Sequence, residues 1–263
     1  MSDPEGNPTQ VSDDTPKNVV LEEEFPLPSG GFLYDEDDIP STIALRPMRV
    51  ADEKLMIGGK NTGFIDRVIK LFKSCSTTPN VKWENMVNQD MMYILFMLRK
   101  LSFGPIYEAQ TKCSSCSELI PLDISIPDSF GISVMTDDAH EKTWDIEISD
   151  GMTFTMGYVT SKKMIEVERI QKQRKIRSRG REVEDPNLLI MAHIKKIDGE
   201  HKSIQDIDRI VDGLLVNDFN KLRNSIEDND FGLKLKIPVD CVQCGWSEEQ
   251  AVPMGNAFFR PRS

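Results

Sequence analysis

Histidine is scarce in this chain: its 263 residues include three, His140, His193 and His201, at spacings unsuited to joining the cysteines at a metal. No His-Glu-x-x-His pair, nucleophile-elbow serine or dinucleotide glycine fingerprint occurs, which removes the commonest motif-borne chemistries. Gly58-Gly59-Lys60-Asn61-Thr62 is no phosphate loop, because Lys54 stands where the first glycine belongs and Asn61 where Ser or Thr must follow the lysine. Carboxylates are plentiful, but none is singled out as a catalytic pair. The longest strongly apolar run, Tyr93 to Leu98, is too short to cross a bilayer. Met1 to Asp14 lacks the apolar core of a secretory signal, so oxidising export and disulfides are not expected. Positive charge is missing from the first forty positions except at Lys17, against eleven acidic side chains. The formal net charge of −11 therefore belongs to an N-terminal arm, and the body is close to neutral. These absences point to a non-enzymatic protein with no small-molecule substrate and no membrane contact.

What is present is a globular composition, 39% hydrophobic and 29% charged, and five cysteines. Four of these form two Cys-x-x-Cys pairs, Cys113/Cys116 and Cys241/Cys244, far apart in the chain. A two-residue spacer lets two sulfurs from one tight turn reach adjacent corners of a tetrahedron, and four thiolates close a structural zinc site. Both pairs have strand-like flanks. Leu233, Leu235, Ile237 and Val239 alternate with polar residues or proline before the second pair, and Ile120, Leu122, Ile124 and Ile126 alternate in the same way after the first. Each pair therefore reads as a knuckle at a hairpin tip, with Gly245 supplying backbone freedom after Cys244. A redox dithiol, a disulfide and coincidence are the competing readings; a thioredoxin-like pair would open a helix, whereas strands follow here. Cys75 ends an amphipathic segment and is read as a partly buried thiol.

Along the chain, residues 1–24 read as a disordered acidic arm, too poor in large apolar groups to offset their own ordering entropy. Residues 25–40 form an extended segment in which Phe25, Leu27, Phe32 and Tyr34 are candidate docking anchors, with packing on the chain's own domain as the alternative. Residues 41–112 form a helical region, with helices over Ala51 to Ile57, around Ile65, Val68, Ile69 and Phe72, and over about Trp83 to Leu101. Residues 113–160 carry the first knuckle and a hairpin turning at Asp150-Gly151. Residues 161–184 form a basic helix or linker: Lys162 to Arg181 holds nine basic residues against Glu166 and Glu168. Residues 185–232 form a second helical region, with Ser203 and Asp206 as a capping box. Residues 233–263 hold the second knuckle and a C-terminal extension, where Phe258 and Phe259 are further docking candidates. The fold class is α+β, a helical core with zinc-ribbon-like hairpins joined by a distant four-cysteine site.

Three stretches carry a family likeness: Leu27-Pro-Ser-Gly-Gly-Phe-Leu-Tyr34; Leu98-Arg-Lys-Leu-Ser-Phe-Gly104 followed by Tyr107 and the first cysteine pair; and the second pair before Phe258-Phe-Arg-Pro261. In this order they resemble the baseplate hub, or hub assembly, proteins of T-even-type contractile-tailed bacteriophages, over residues 25–125 and 185–263. The acidic arm and the basic middle segment depart from that pattern. The resemblance implies a structural or assembly component of the tail baseplate that contacts other baseplate and tail subunits, in the virion and, during assembly, in the host cytoplasm. The competing function is a zinc-ribbon nucleic-acid binder in phage transcription or replication. The basic segment could neutralise phosphates, but it has no interleaved aromatic residues, so a solvated helix or a protein contact is the preferred reading.

Overall fold

A computed structural model describes residues 21–35, 37–57, 62–136, 142–177, 187–254 and 256–259. Most of the arm, the Gly58-Gly59-Lys60-Asn61 stretch and the end of the basic segment lie outside the described residues. Two strands open the described chain, β1 (Glu23–Pro26) and β2 (Thr42–Leu45), paired antiparallel. Glu23 and Glu24, expected to belong to the arm, are thus ladder residues. Three helices follow: α1 (Val50–Ile57), α2 (Phe64–Cys75) and α3 (Asn88–Phe103).

α2 buries Ile65, Val68, Ile69 and Phe72, the face its periodicity announces, and Cys75 is fully buried rather than partly so. The third helix starts later than its composition suggests. Trp83–Asn85 is a single 3-10 turn, after which Met86 and Val87 are extended. The Met86 carbonyl accepts from the Ser161 amide, and the Asn88 amide donates to the Val159 carbonyl, so a neighbouring segment uses the backbone that would have continued the helix. α3 then runs through the middle of the main core, with Met91 and Ile94 to Leu98 all buried.

The first knuckle hairpin is β3 (Ile106–Lys112) with β4 (Leu119–Ser125), and β5 is the short Ile132–Ser133. Next comes a lobe that interrupts the main core. It contains β6 (Thr143–Glu147), β7 (Thr153–Gly157), α4 (Ser161–Arg177), α5 (Asn187–His193), β8 (Ile194–Ile197), α6 (Ile204–Asp212) and α7 (Val216–Asp228). The three strands form one sheet in the order β6-β7-β8, and Phe154, Met156, Leu188, Ile207 and Leu222 are among the residues of a second core beneath it. The chain returns through β9 (Gly232–Leu233), which pairs with β5, and closes with the second knuckle hairpin, β10 (Lys236–Asp240) and β11 (Ser247–Ala251), and α8 (Asn256–Phe259). The main core therefore draws on residues from 25 to 130 and again from 233 to 259. At the neck between the two cores, Val87, Met135, Tyr158 and Phe231 pack together.

The stretch expected to be helical from 185 to 232 contains a strand. β8 has four residues, too few to show alternation, and its register with β7 shifts at Thr155/Met156. A signal for it was nonetheless present: Asp198 (φ 49°) and Gly199 (φ 78°) form a tight turn just past β8, the same dipeptide that turns the chain at Asp150-Gly151.

Candidate metal centre

The two knuckles are built alike. The Cys113 amide donates to the Glu118 carbonyl, and the Ser117 amide returns to the Cys113 carbonyl. In the second knuckle the Cys241 amide donates to Trp246 and the Gly245 amide to Cys241. The residue after each second cysteine adopts a left-handed conformation, Ser117 at φ 63° and Gly245 at φ 73°. Gly245 reaches that conformation without steric cost, whereas Ser117 carries a Cβ against it. This similarity of backbone was hidden in the sequence because only one of the two positions is glycine.

These turns bring all four thiols together, every pair of sulfurs lying within 4.8 Å. Across the hairpins, Cys113 Sγ lies 3.6 Å from Cys244 Sγ, and Cys116 Sγ lies 3.6 Å from Cys241 Sγ. A tetrahedron with bonds of ~2.3 Å from a central zinc has edges of about 3.8 Å, so the sulfurs stand at the separation a tetrathiolate ion site requires. They are too far apart for disulfide bonds and are free thiols.

Electrostatics point the same way. The Cys116 amide, opposed by desolvation and assisted by the Ser115 amide, brings the Cys113 thiol down to about 7. For Cys116, the Glu118 amide favours the thiolate, but desolvation and the three neighbouring thiols outweigh it and push the group up to about 12. Four thiolates cannot be ionised this close together without a cation between them. A dication held by Cys113, Cys116, Cys241 and Cys244 would supply that charge and tie the hairpins together as a Lewis-acidic cross-link.

The hairpins also hold one another without a metal. Thr111 Oγ1 donates to Gln250 Oε1 at 2.5 Å, and Gln250 Nε2 donates to the Lys112 carbonyl at 3.1 Å. Ser114 Oγ donates to Glu248 Oε1 at 2.5 Å, and Tyr107 Oη donates to the Pro253 carbonyl at 2.6 Å. Nothing in the pattern of the sequence marked Thr111 or Gln250 as partners.

Of the docking candidates, four are packed within the chain, and for Phe25 and Leu27 this is the own-domain packing the sequence also allowed. Phe25 and Leu27 are buried in the main core. Phe258 is fully buried against Phe96, with ring centroids 4.9 Å apart, and against Tyr107 at 5.2 Å; Phe259 is buried beside it. The Arg99 guanidinium sits over the Tyr107 ring and donates to the Gly104 and Ile106 carbonyls. The apolar surface of these four candidates is thus used within the chain, because α3 and the first hairpin provide the groove they fill. Tyr34 is half-buried through its bond to Asp90 of α3, which leaves Phe32, 44% exposed, as the candidate facing outward.

Residues 24–260 match the family model described as the T4 bacteriophage base plate protein. The chain belongs to that family. The bounds of the match take in both cores and both knuckles. No curated protein and no solved structure matches the chain. A baseplate protein is a structural component of the phage tail, where other tail components surround it. Among the described residues no helix is long and apolar enough to cross a membrane.

Proposed function

We propose that this baseplate protein acts in the hub region, as a structural or assembly component braced by a zinc ion on Cys113, Cys116, Cys241 and Cys244. The observation that carries the reading is the gathering of four thiols from two distant hairpins at tetrahedral spacing, in a chain whose family is that of the baseplate. Zinc suits four sulfur donors in a closed site, and such a site performs no catalysis because it leaves no position for water or substrate. Its contribution is mechanical: it locks the tips of two hairpins into one rigid end. Exposed segments of the body, Phe32 among them, then meet other tail subunits.

The experiment is elemental analysis of the purified protein together with complementation of a phage lacking it. One zinc per chain, lost in the Cys113→Ser/Cys241→Ser double variant together with assembled baseplates, is the expected result. Normal particles from that variant would overturn the structural role of the metal. Particle defects confined to peripheral baseplate parts would overturn the hub assignment.

A further inference from the structure

Helix α2 begins without a cap of its own. Gly63, the residue before it, has no side chain to accept from the free amides of the first turn, and the acceptor comes instead from α4: the Ile65 amide donates to Glu168 Oε1 at 3.2 Å, across 103 residues of chain. The Phe64 amide points to the same carboxyl. Glycine admits that carboxyl, since a Cβ at position 63 would collide with Glu168 Oε2. The backbone of Gly63 is extended (φ −60°), a conformation open to any residue, so the glycine serves the carboxylate rather than the turn.

The contact is held at a cost. Glu168 Oε2 and Arg67 Nε are both buried without a hydrogen-bond partner, although they belong to opposite charges close enough to attract. Burial raises the Glu168 carboxyl above its ordinary value against the pull of the Ile65 amide, and the Asp66 carboxylate adds to the rise. A contact with unpaired buried atoms recovers part of its cost when it opens.

The helix that carries Glu168 bridges the two cores. Met164 and Ile165 pack on the main core, Val167 and Ile170 belong with the second, and Arg174 pairs with Asp208 of α6 at 2.7 Å. The start of α4 is fixed, because the Ser161 amide and hydroxyl both donate to the Met86 carbonyl, at 2.7 and 3.0 Å, beside the neck residues Val87 and Tyr158. Glu168 grips α2 about two turns, or ~10 Å, further along. A fixed end and a costly grip beyond it have the geometry of a hinge with a catch.

We infer that Glu168 is a releasable latch holding the inserted lobe against α2, and that its departure lets α4 and the lobe turn about the Met86–Ser161 end while both cores stay folded. The latch sets where the lobe stands relative to the knuckle-bearing body, so whatever displaces the carboxylate moves the lobe without unfolding it.

Pulsed dipolar spectroscopy between spin labels carried by unnatural residues at Lys70 of α2 and Leu189 of α5, both exposed, measures the lobe-to-body separation in the full chain. One dominant separation is expected for the wild type. Gly63→Ala drives the carboxylate out with a single methyl group, and Glu168→Ala removes it; each is expected to raise the ratio of displaced to latched molecules about tenfold, the worth of a hydrogen bond to a charged group. Combined, they should do no more than Glu168→Ala alone, because both undo one contact. Unchanged circular dichroism, and hydrogen exchange unchanged along α3 and the β6-β7-β8 sheet, show that a variant is folded; Gly63→Ala alone carries the test if Glu168→Ala is not. A separation that stays the same in the variants, with faster exchange confined to the Phe64 and Ile65 amides, makes Glu168 a helix cap and overturns the inference. A double variant more displaced than either single one also overturns it. Neither the hub assignment nor the zinc enters these outcomes.

Discussion

Tyr34 donates its hydroxyl hydrogen to Asp90 Oδ2 at 2.5 Å, across 56 residues of chain. Asp90 is fully buried and also accepts from the Ser29 amide at 3.0 Å, so one carboxyl pins both ends of the Ser29 to Tyr34 loop to α3. Gly30 (φ 60°) and Gly31 (φ 84°) permit the turn between them. The Leu27 to Tyr34 stretch is therefore a tether inside the protein before it is anything else. Burial, then the neighbouring Asp90 charge, raises the Tyr34 hydroxyl well above its ordinary value, so it remains a donor.

Tyr34→Phe removes that donor and leaves Asp90 to the amide and side chain of Ser29. A loss of about 1.5–3 kcal/mol in unfolding free energy is expected, the range for a hydrogen bond to a charged group. Urea denaturation of the purified variant measures it.

Removing the metal is expected to loosen the hairpin tips and leave the main core folded. Structural zinc contributes on the order of 10 kcal/mol in small zinc peptides that have no other core, but here Tyr107, Val239 and Val252 already sit in a shared apolar interior and the Thr111–Gln250 pair bridges the hairpins. Hydrogen exchange after chelation should show protection lost around residues 112–119 and 240–247 and kept along α3. Global unfolding on chelation would contradict this.

Ser117→Gly should relieve the left-handed strain of the first knuckle and stabilise the protein by roughly 1 kcal/mol. Thermal unfolding of the metal-loaded protein is the measurement, and a lower midpoint would count against the strain.

Half-buried His193 and buried Asp52 contribute to the response to acid in separate windows. His193, the last residue of α5, places Nδ1 3.0 Å from the Gly157 carbonyl. Desolvation, then Lys195, lowers it from 6.5 to about 4, against the favourable carbonyl. A base depressed in the folded state binds its proton more readily when unfolded, so stability is complete above about pH 6.5 and is lost as pH falls towards 4. The shift corresponds to about 3 kcal/mol. Across that window, His193→Gln should flatten the dependence of unfolding free energy on pH.

Asp52 acts lower. Burial pushes its carboxyl up, but Arg46 at 2.7 Å, Ser74 Oγ at 2.5 Å and the Arg49 amide hold it well below the usual range. A depressed carboxyl contributes fully above its unfolded value near pH 4, and that contribution is lost as pH falls further. Asp52→Asn is expected to cost about 3 kcal/mol at neutral pH, because Arg46 loses its buried partner, and to remove the steep loss below pH 4. Denaturation at a series of pH values separates it from His193.

Much of this arrangement was legible in the residues. The knuckle flanks alternate because a hairpin has one buried face, α2 keeps its apolar stripe because one side packs on the core, and Ser203 caps α6 by accepting from the Asp206 amide as the motif requires. The features that were not legible are tertiary. The break at Met86 and Val87 exists because residues 159 to 161 take their hydrogen bonds. Phe258 reads as a loose end because the rings it packs on, Phe96 and Tyr107, lie some 150 residues earlier. β8 reads as helix because its pairing partner β7 lies across α4 and α5.

The inserted lobe also imposes an order of events during synthesis. The main core needs Leu233, Ile237, Val252 and Phe258, and the cysteine cluster needs Cys241 and Cys244. Until the ribosome has passed those positions, α3 and the first hairpin wait without these late apolar partners, while the lobe between them already has its own core residues. The lobe can thus settle first and carry the late strands back to the early ones, making the last ~30 residues the step that commits the molecule.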